Sequence, residues 1–157
     1  MTVEVLFSKS TDYYGNLICF SHIVNQGQAY MDLWTTPQSD SRAYEILYVP
    51  NVVTSAPNNS YTLGWNNYPL NTMVKITYLK SGTTYKTYVD GKLMDMRTIS
   101  DSDVQGFSTN VFFIGKAINE NEYYFTGDIY SIRVYNKALT DQEIIINNNL
   151  DKKRFGF

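Results

Sequence analysis

Alternation of apolar and polar residues dominates the chain. Thr2 to Ser8 sets Val3, Val5 and Phe7 on one side of an extended segment, and Leu17 to Val24 is a nearly continuous apolar run broken by Ser21 and His22. Period two marks a half-buried strand, and a short apolar run between turn residues marks a strand covered on both faces. "AYMDLWTT" places Met31, Leu33 and Thr35 on one side and Tyr30, Asp32 and Trp34 on the other, and "AYEILYV" follows a polar loop. Pro50 to Thr72 carries three of the four prolines and six asparagines, so a long connection with one short strand inside it is expected.

"MVKITYL" and "TTYKTYVD", separated by "KSG", predict a hairpin, and Asp90-Gly91 between two further apolar runs predicts a second. Asp-Gly supplies the positive φ values of a type I′ turn, whose twist matches the flanking strands. "NVFFIGK" and a closing strand from Ile129 to Tyr135 follow after polar loops. The period then changes. Thr140 is placed as an N-cap with Glu143 to complete a capping box, Asp141 suits the positive end of the helix dipole, and Leu139 with Ile144 forms a hydrophobic staple. A helix is expected from about Asp141 to Asn149, packing Ile144, Ile145 and Leu150 inward. Nine or more short strands with one terminal helix predict an all-β fold, a two-sheet antiparallel β-sandwich.

Three segments resemble the concanavalin A-like lectin/glucanase superfamily in its laminin-G-like branch: "NTMVKITYLKSGTTYKTYVDGKLM", "VFFIGKA" and "YFTGDIYSIRVYNKALTDQEI". The resemblance spans about Thr2 to Leu150 and implies a jelly-roll sandwich. The tail "NNNLDKKRFGF" is similar to the ends of such domains in bacterial surface and phage tail proteins. Many relatives read Gly-x-Ile-Asp at the start of the closing strand, where the acid helps hold a structural calcium ion in the glucanase branch; the matching residue here is Tyr130. Calcium takes six to eight oxygens, usually with carboxylates among them. With only Asp128 nearby, a structural calcium ion is disfavoured and no cofactor is expected.

A chain of 157 residues fits one domain spanning 1–157, and fourteen tyrosines suit strands as well as amphipathic contact surfaces. A net charge of −2 argues against nucleic acid, because neutralising phosphates needs a clustered basic face. The cluster Lys152, Lys153 and Arg154 reads as a solvated tail. Cys19, the single cysteine, reads as a buried inert thiol. No segment reaches about 18 consecutive apolar residues, so no membrane insertion is expected. The start in strand pattern suggests an excised module, or a protein exported or assembled without a cleaved signal.

Glycosidases of this superfamily aim two carboxylates from one strand at a groove, about 5 Å apart for retention. The nearest pairs here are Glu120 with Glu122 and Asp101 with Asp103, both in expected loops, so they read as solvating acids. His22, the only histidine, reads as a structural strand residue. Binding remains. Sugar ring faces stack on aromatics and sugar hydroxyls pair with amides and carboxylates. Tyr61, Trp65 and Tyr68 with Asn66, Asn67 and Asn71 form one candidate patch, and Glu122, Tyr123 and Tyr124 a second. Trp34 is a sugar platform if it lies on an open face and core if it does not. The leading expectation is a non-catalytic module that binds a glycan or other cell-surface ligand, located outside the cell, on its surface or on a virion. A structural assembly domain that meets other protein chains is the alternative, and a divergent glycoside hydrolase the third.

Overall fold

The computed structural model describes residues 1–21, 29–35, 45–47, 61–62, 69–98, 111–116 and 124–157. Among these, ten strands form two five-stranded antiparallel sheets, followed by one helix. The strands are β1 (Thr2–Lys9), β2 (Gly15–Ser21), β3 (Ala29–Thr35), β4 (Glu45–Leu47), β5 (Tyr61–Thr62), β6 (Met73–Ser81), β7 (Thr84–Val89), β8 (Lys92–Thr98), β9 (Val111–Ile114) and β10 (Gly127–Tyr135). The helix α1 runs over Asp141–Phe155. One sheet has the order β10-β1-β6-β7-β8 and the other β5-β4-β3-β2-β9. The chain divides into two compact units, each built on one sheet: Met1–Ser10, Tyr68–Ile99 and Gly127–Phe157 form the first, Thr11–Asn67 and Ser100–Thr126 the second.

In the first unit both hairpins form as expected. Ser81 pairs with Thr84 around Gly82, which has φ 56°, and Val89 pairs with Lys92 around Asp90 and Gly91. Asp90 has φ 49° and Gly91 φ 80°, the two positive values a type I′ turn requires. Asp90 also ties this turn to β6: its Oδ1 accepts from the Lys75 N–H at 2.9 Å, and its own N–H donates to the Lys75 carbonyl at 2.8 Å.

The cap of α1 matches the sequence expectation. The Thr140 hydroxyl accepts from the Glu143 N–H at 3.2 Å and Glu143 Oε2 accepts from the Thr140 N–H at 2.8 Å. Leu139 and Ile144 pack with Leu79 and Tyr88, and Tyr135 and Ala138 close over them. The far end differs from expectation. The helix runs past Asn149 to Phe155 and stops at Gly156, a left-handed cap with φ 78° whose N–H donates to the Lys152 carbonyl. Lys152, Lys153 and Arg154 are therefore not a tail but the exposed last turn, where cations oppose the negative end of the dipole.

The inward face of α1 also differs. Ile144 is fully buried, but Ile145 and Leu150 are 41% and 59% exposed. The buried positions after Ile144 are Asn148 and Asp151, four and seven residues on, so the face that meets the sheet turns from apolar to polar along its length. Asn148 Nδ2 donates to the Asp90 carbonyl at 2.9 Å, docking the helix on the type I′ turn. A Cβ on Gly91 would lie 3.1 Å from Asn148 Nδ2 and 3.2 Å from its Cβ and Cγ. Gly91→Ala is therefore expected to cost about 1–3 kcal/mol, from the left-handed backbone and from crowding Asn148. Urea denaturation followed by circular dichroism measures this, and an unchanged midpoint would refute the close approach.

Asp151 completes a buried ionic cluster beneath α1. It lies with Glu4 and Lys75 at 1% side-chain exposure each. Lys75 Nζ is 2.8 Å from Asp151 Oδ2 and 3.3 Å from Glu4 Oε1, within ion-pairing distance of both carboxylates. Arg133 grips Asp151 with both guanidinium nitrogens, Nη1 donating to Oδ2 at 2.6 Å and Nη2 to Oδ1. Burial alone pushes the Asp151 carboxyl up, but Arg133 and Lys75 together outweigh it and hold the group below its ordinary value. Two anions and two cations make the cluster neutral, the condition for burying charge at all.

Candidate functional site

In the second unit β2 is paired on both sides, with β3 along its length and with β9 over Ile18 to Ser21. Leu17, Ile18 and Cys19 are fully buried, as are Leu33 and Thr35 of β3, which fits the apolar run read from the sequence. At its start β2 meets a further segment. After β9 the chain turns at Gly115, which has φ 73°, and the Gly115 N–H donates to the Leu17 carbonyl at 3.0 Å. Phe125 then returns, its N–H donating to the Gly115 carbonyl at 2.9 Å, and Tyr124 forms a parallel bridge with Asn16. Gly15 permits this approach, since a Cβ there would stand 3.0 Å from Phe125 Cα.

Two residues singled out from the sequence thus flank one position in the sheet. Asn16 pairs in register with Trp34 on β3 and bridges Tyr124 on the other side. The Asn16 side chain is buried, and among the described residues neither its Oδ1 nor its Nδ2 has a hydrogen-bond partner. A buried amide left unpaired is destabilising by roughly 1–3 kcal/mol, so it marks a place where packing alone does not explain the residue. Tyr124 is 52% exposed, and Tyr13, three residues before Asn16, is 57% exposed with its ring edge-on to Tyr14 at 5.8 Å. Phe112 on β9 is also exposed and stacks on Phe20. The start of β2 is therefore flanked by exposed tyrosines, Tyr13 ahead of it in the chain and Tyr124 across the bridge to Asn16.

Tyr13, Tyr14 and Asn16 were not among the sequence candidates; the run "DYYGN" was the available signal, with aromatics set against turn residues. Tyr61 lies on edge strand β5 and Trp34 on β3, both in the second unit. Asn71 belongs to the first unit, where it is an exposed turn residue at φ 56° whose N–H donates to the Lys9 carbonyl. Trp65, Asn66, Asn67, Tyr68, Glu122 and Tyr123 lie outside the described residues, as do His22, Glu120, Asp101 and Asp103.

The first unit holds a cleft of about 490 Å³ with Leu79, Ala138 and Leu139 as its floor and Lys86 and Asp141 on its rim. Its charges are already engaged with each other. Lys86 Nζ lies 3.0 Å from Asp141 Oδ1, which also accepts from the Tyr88 hydroxyl at 2.6 Å. The Tyr88 and Lys86 contacts hold the Asp141 carboxyl below its ordinary value. At the start of β10, Asp128 and Tyr130 are both exposed, and among the described residues no group of three or more His, Cys, Asp or Glu side chains is placed to hold a metal ion.

The order and pairing of the strands, with a closing strand that leads into a capped helix, define an all-β chain of the two-sheet jelly-roll class. A family model for the concanavalin A-like lectin/glucanases superfamily matches residues 8–145, and the chain belongs to that superfamily, in its laminin-G-like branch. Among solved structures it is similar to the CBM40 module of the Ruminococcus gnavus IT-sialidase bound to alpha2,3 sialyllactose, at 17% identity and TM-score 0.69, over 94% of this chain and 81% of that one. It is also similar to Trypanosoma rangeli sialidase in complex with sialic acid, at 16% identity and TM-score 0.66, and to the same enzyme's complex with 2,3-difluorosialic acid, at 15% and 0.67. The match covers 98% of this chain but 23% of the sialidase chains. No curated protein sequence matches the chain.

Proposed function

We propose that the chain is a non-catalytic carbohydrate-binding module that recognises a glycan on a cell surface. The observation that carries this reading is the exposure of tyrosines at the start of β2, with Tyr124 52% exposed where it bridges Asn16 and Tyr13 57% exposed three residues before it. Tyrosine rings offer stiff amphipathic faces for sugar rings at low entropic cost. The fold is shared with a module whose structure holds alpha2,3 sialyllactose, and this supports a sugar as ligand. Sialidase chains share the same fold over only 23% of their length, so their catalytic activity is not carried over to this chain. Trp34, Tyr61, Trp65, Asn66, Asn67, Glu122 and Tyr123 remain candidate contributors alongside Tyr124, with Tyr68 and Asn71 of the first unit as separate candidates, and an extracellular or virion-borne setting suits such a ligand.

A glycan array followed by isothermal titration tests the reading, with α2,3-sialyllactose as the first ligand. Tyr124→Ala is expected to weaken binding by about 10-fold or more, the loss typical of an aromatic contact at a binding centre, with little change in melting temperature because the ring is half exposed. Trp65→Ala should do the same if its loop joins the site, and a large fall in melting temperature would place Trp65 in the core instead. Absence of binding across a broad array would overturn the module reading. Glycan hydrolysis that vanishes in Glu120→Gln or Glu122→Gln would replace it with catalysis.

A further inference from the structure

The outward face of α1 carries large aliphatic residues that are exposed. Ile146 is 48% exposed and Leu150 59%, with Ile145 on the flank at 41%. At 100° per residue, Gln142, Ile146, Leu150 and Lys153 form one stripe, opposite the buried Ile144, Asn148 and Asp151. Exposed single aliphatics are ordinary, but these lie one turn apart on a rigid element and face away from the sheet. The charges along the same helix are segregated by end. Asp141 and Glu143 occupy the first turn, and Lys152, Lys153 and Arg154 the last.

We propose that this face is a self-association surface, on which α1 of a second copy lies antiparallel to the first. A two-fold interface must be self-complementary, with the same patch serving both copies. Antiparallel pairing about the middle of the stripe sets Ile146 of one copy against Leu150 of the other. It also brings Glu143 in the first turn of each helix beside Lys153 in the last turn of its mate, at both ends. Parallel pairing would set like charges together, which is destabilising. Glu143 already pairs with Lys137, but both side chains are partly exposed and the carboxylate keeps acceptor positions for a second cation, whereas Asp141 stays on the sheet side with Lys86 and Tyr88. A single helix pair about 22 Å long is a small interface, so the dimer is weak, with a dissociation constant in the range of about 10–500 µM. Two copies joined this way would also bring two ligand surfaces into one particle, which raises avidity without a new contact.

Sedimentation velocity of the full chain from about 10 µM to 1 mM should show a mass rising from 18.1 kDa toward twice that value. Leu150→Glu and Ile146→Glu should each weaken the association by about 10-fold or more, and Lys153→Glu by a smaller factor, with unchanged circular dichroism because all three side chains are exposed. Direction is tested by oxidation. An equal mixture of the Ile146→Cys and Leu150→Cys variants should form the mixed disulfide in preference to either homodimer. A mass of 18.1 kDa throughout the range would overturn the proposal and leave the face to another domain or protein. A dimer indifferent to both glutamates would place the contact elsewhere, and a preference of the Ile146→Cys variant for disulfide pairing with itself would refute the antiparallel arrangement.

Discussion

Asp151→Ala is expected to lower the free energy of unfolding by about 3–5 kcal/mol, the usual loss when one member of a buried ion pair is removed and its partner stays behind. The partner is Lys75, 1% exposed and 2.8 Å from Asp151 Oδ2, which would keep only Glu4 at 3.3 Å. Arg133 would lose both of its short bonds and hold only a 3.4 Å contact to Glu4. Removing the acid therefore leaves two cations against one carboxylate, with Lys75 and Glu4 shut off from water and Arg133 31% exposed. Replacing the whole cluster by apolar residues of similar volume would be far milder, because the desolvation penalty would vanish with the charges. Urea denaturation of Asp151→Ala reads the loss, and a change below about 1 kcal/mol would show that the cluster is hydrated.

The carboxylates of α1 set an acid limit. Asp151 and Asp141 have folded-state values held below 3.8, and Glu143 is pulled down to about 2 by Lys137 first and then by the Thr140 N–H. A carboxylate with a depressed value stabilises the fold fully above its unfolded value and loses that contribution as pH falls through the folded one. Stability is therefore expected to be level from neutral pH down to about 4.5 and to fall between about 4.5 and 2, with the cap and the inner face of α1 weakening together. Asp151→Ala should flatten that fall, since the group that gains a proton is no longer there.

These effects turn on contacts that local sequence pattern conceals. Period two in β1 correctly assigned Val3, Val5 and Phe7 to one face, but it also made Glu4 look solvent-facing, and Glu4 is 1% exposed. What covers Glu4 is α1, whose Asn147 Nδ2 donates to it from 143 residues away. No window of a few residues contains that information. The N-terminus of α1 was legible because a capping box, a staple and the dipole act within five residues. Its C-terminus was not, because Asn147, Asn148 and Asn149 are poor helix formers and tertiary bonds to Asp90, Glu4 and Lys75 override propensity. For the candidate site, Tyr124 was visible as an aromatic among amides, whereas its position beside Asn16 depends on a bridge across 108 residues, set by the turn at Gly115 and the missing side chain of Gly15.

Ile144→Ala is expected to destabilise by about 2–5 kcal/mol, whereas Ile145→Ala and Leu150→Ala should each change stability by less than about 1 kcal/mol in the monomer. All three residues carried the same expectation from spacing, namely burial against the sheet. The structure separates them: Ile144 is 0% exposed and meets Leu79, Tyr88 and Leu139, while Ile145 and Leu150 reach outward. Truncating Ile144 removes the transfer energy of its methyl groups and leaves a cavity that the surrounding sheet, held by its ladder, fills only in part. It also takes away half of the staple that fixes where the chain enters the helix, so loss of helical circular dichroism should begin at lower urea than loss of sheet signal. Measured at low micromolar concentration, where association is negligible, the three midpoints decide the matter. A Leu150→Ala variant as damaged as Ile144→Ala would mean that α1 is rotated from the orientation in which Asn148 and Asp151 face the sheet, and the ionic cluster would fall with it.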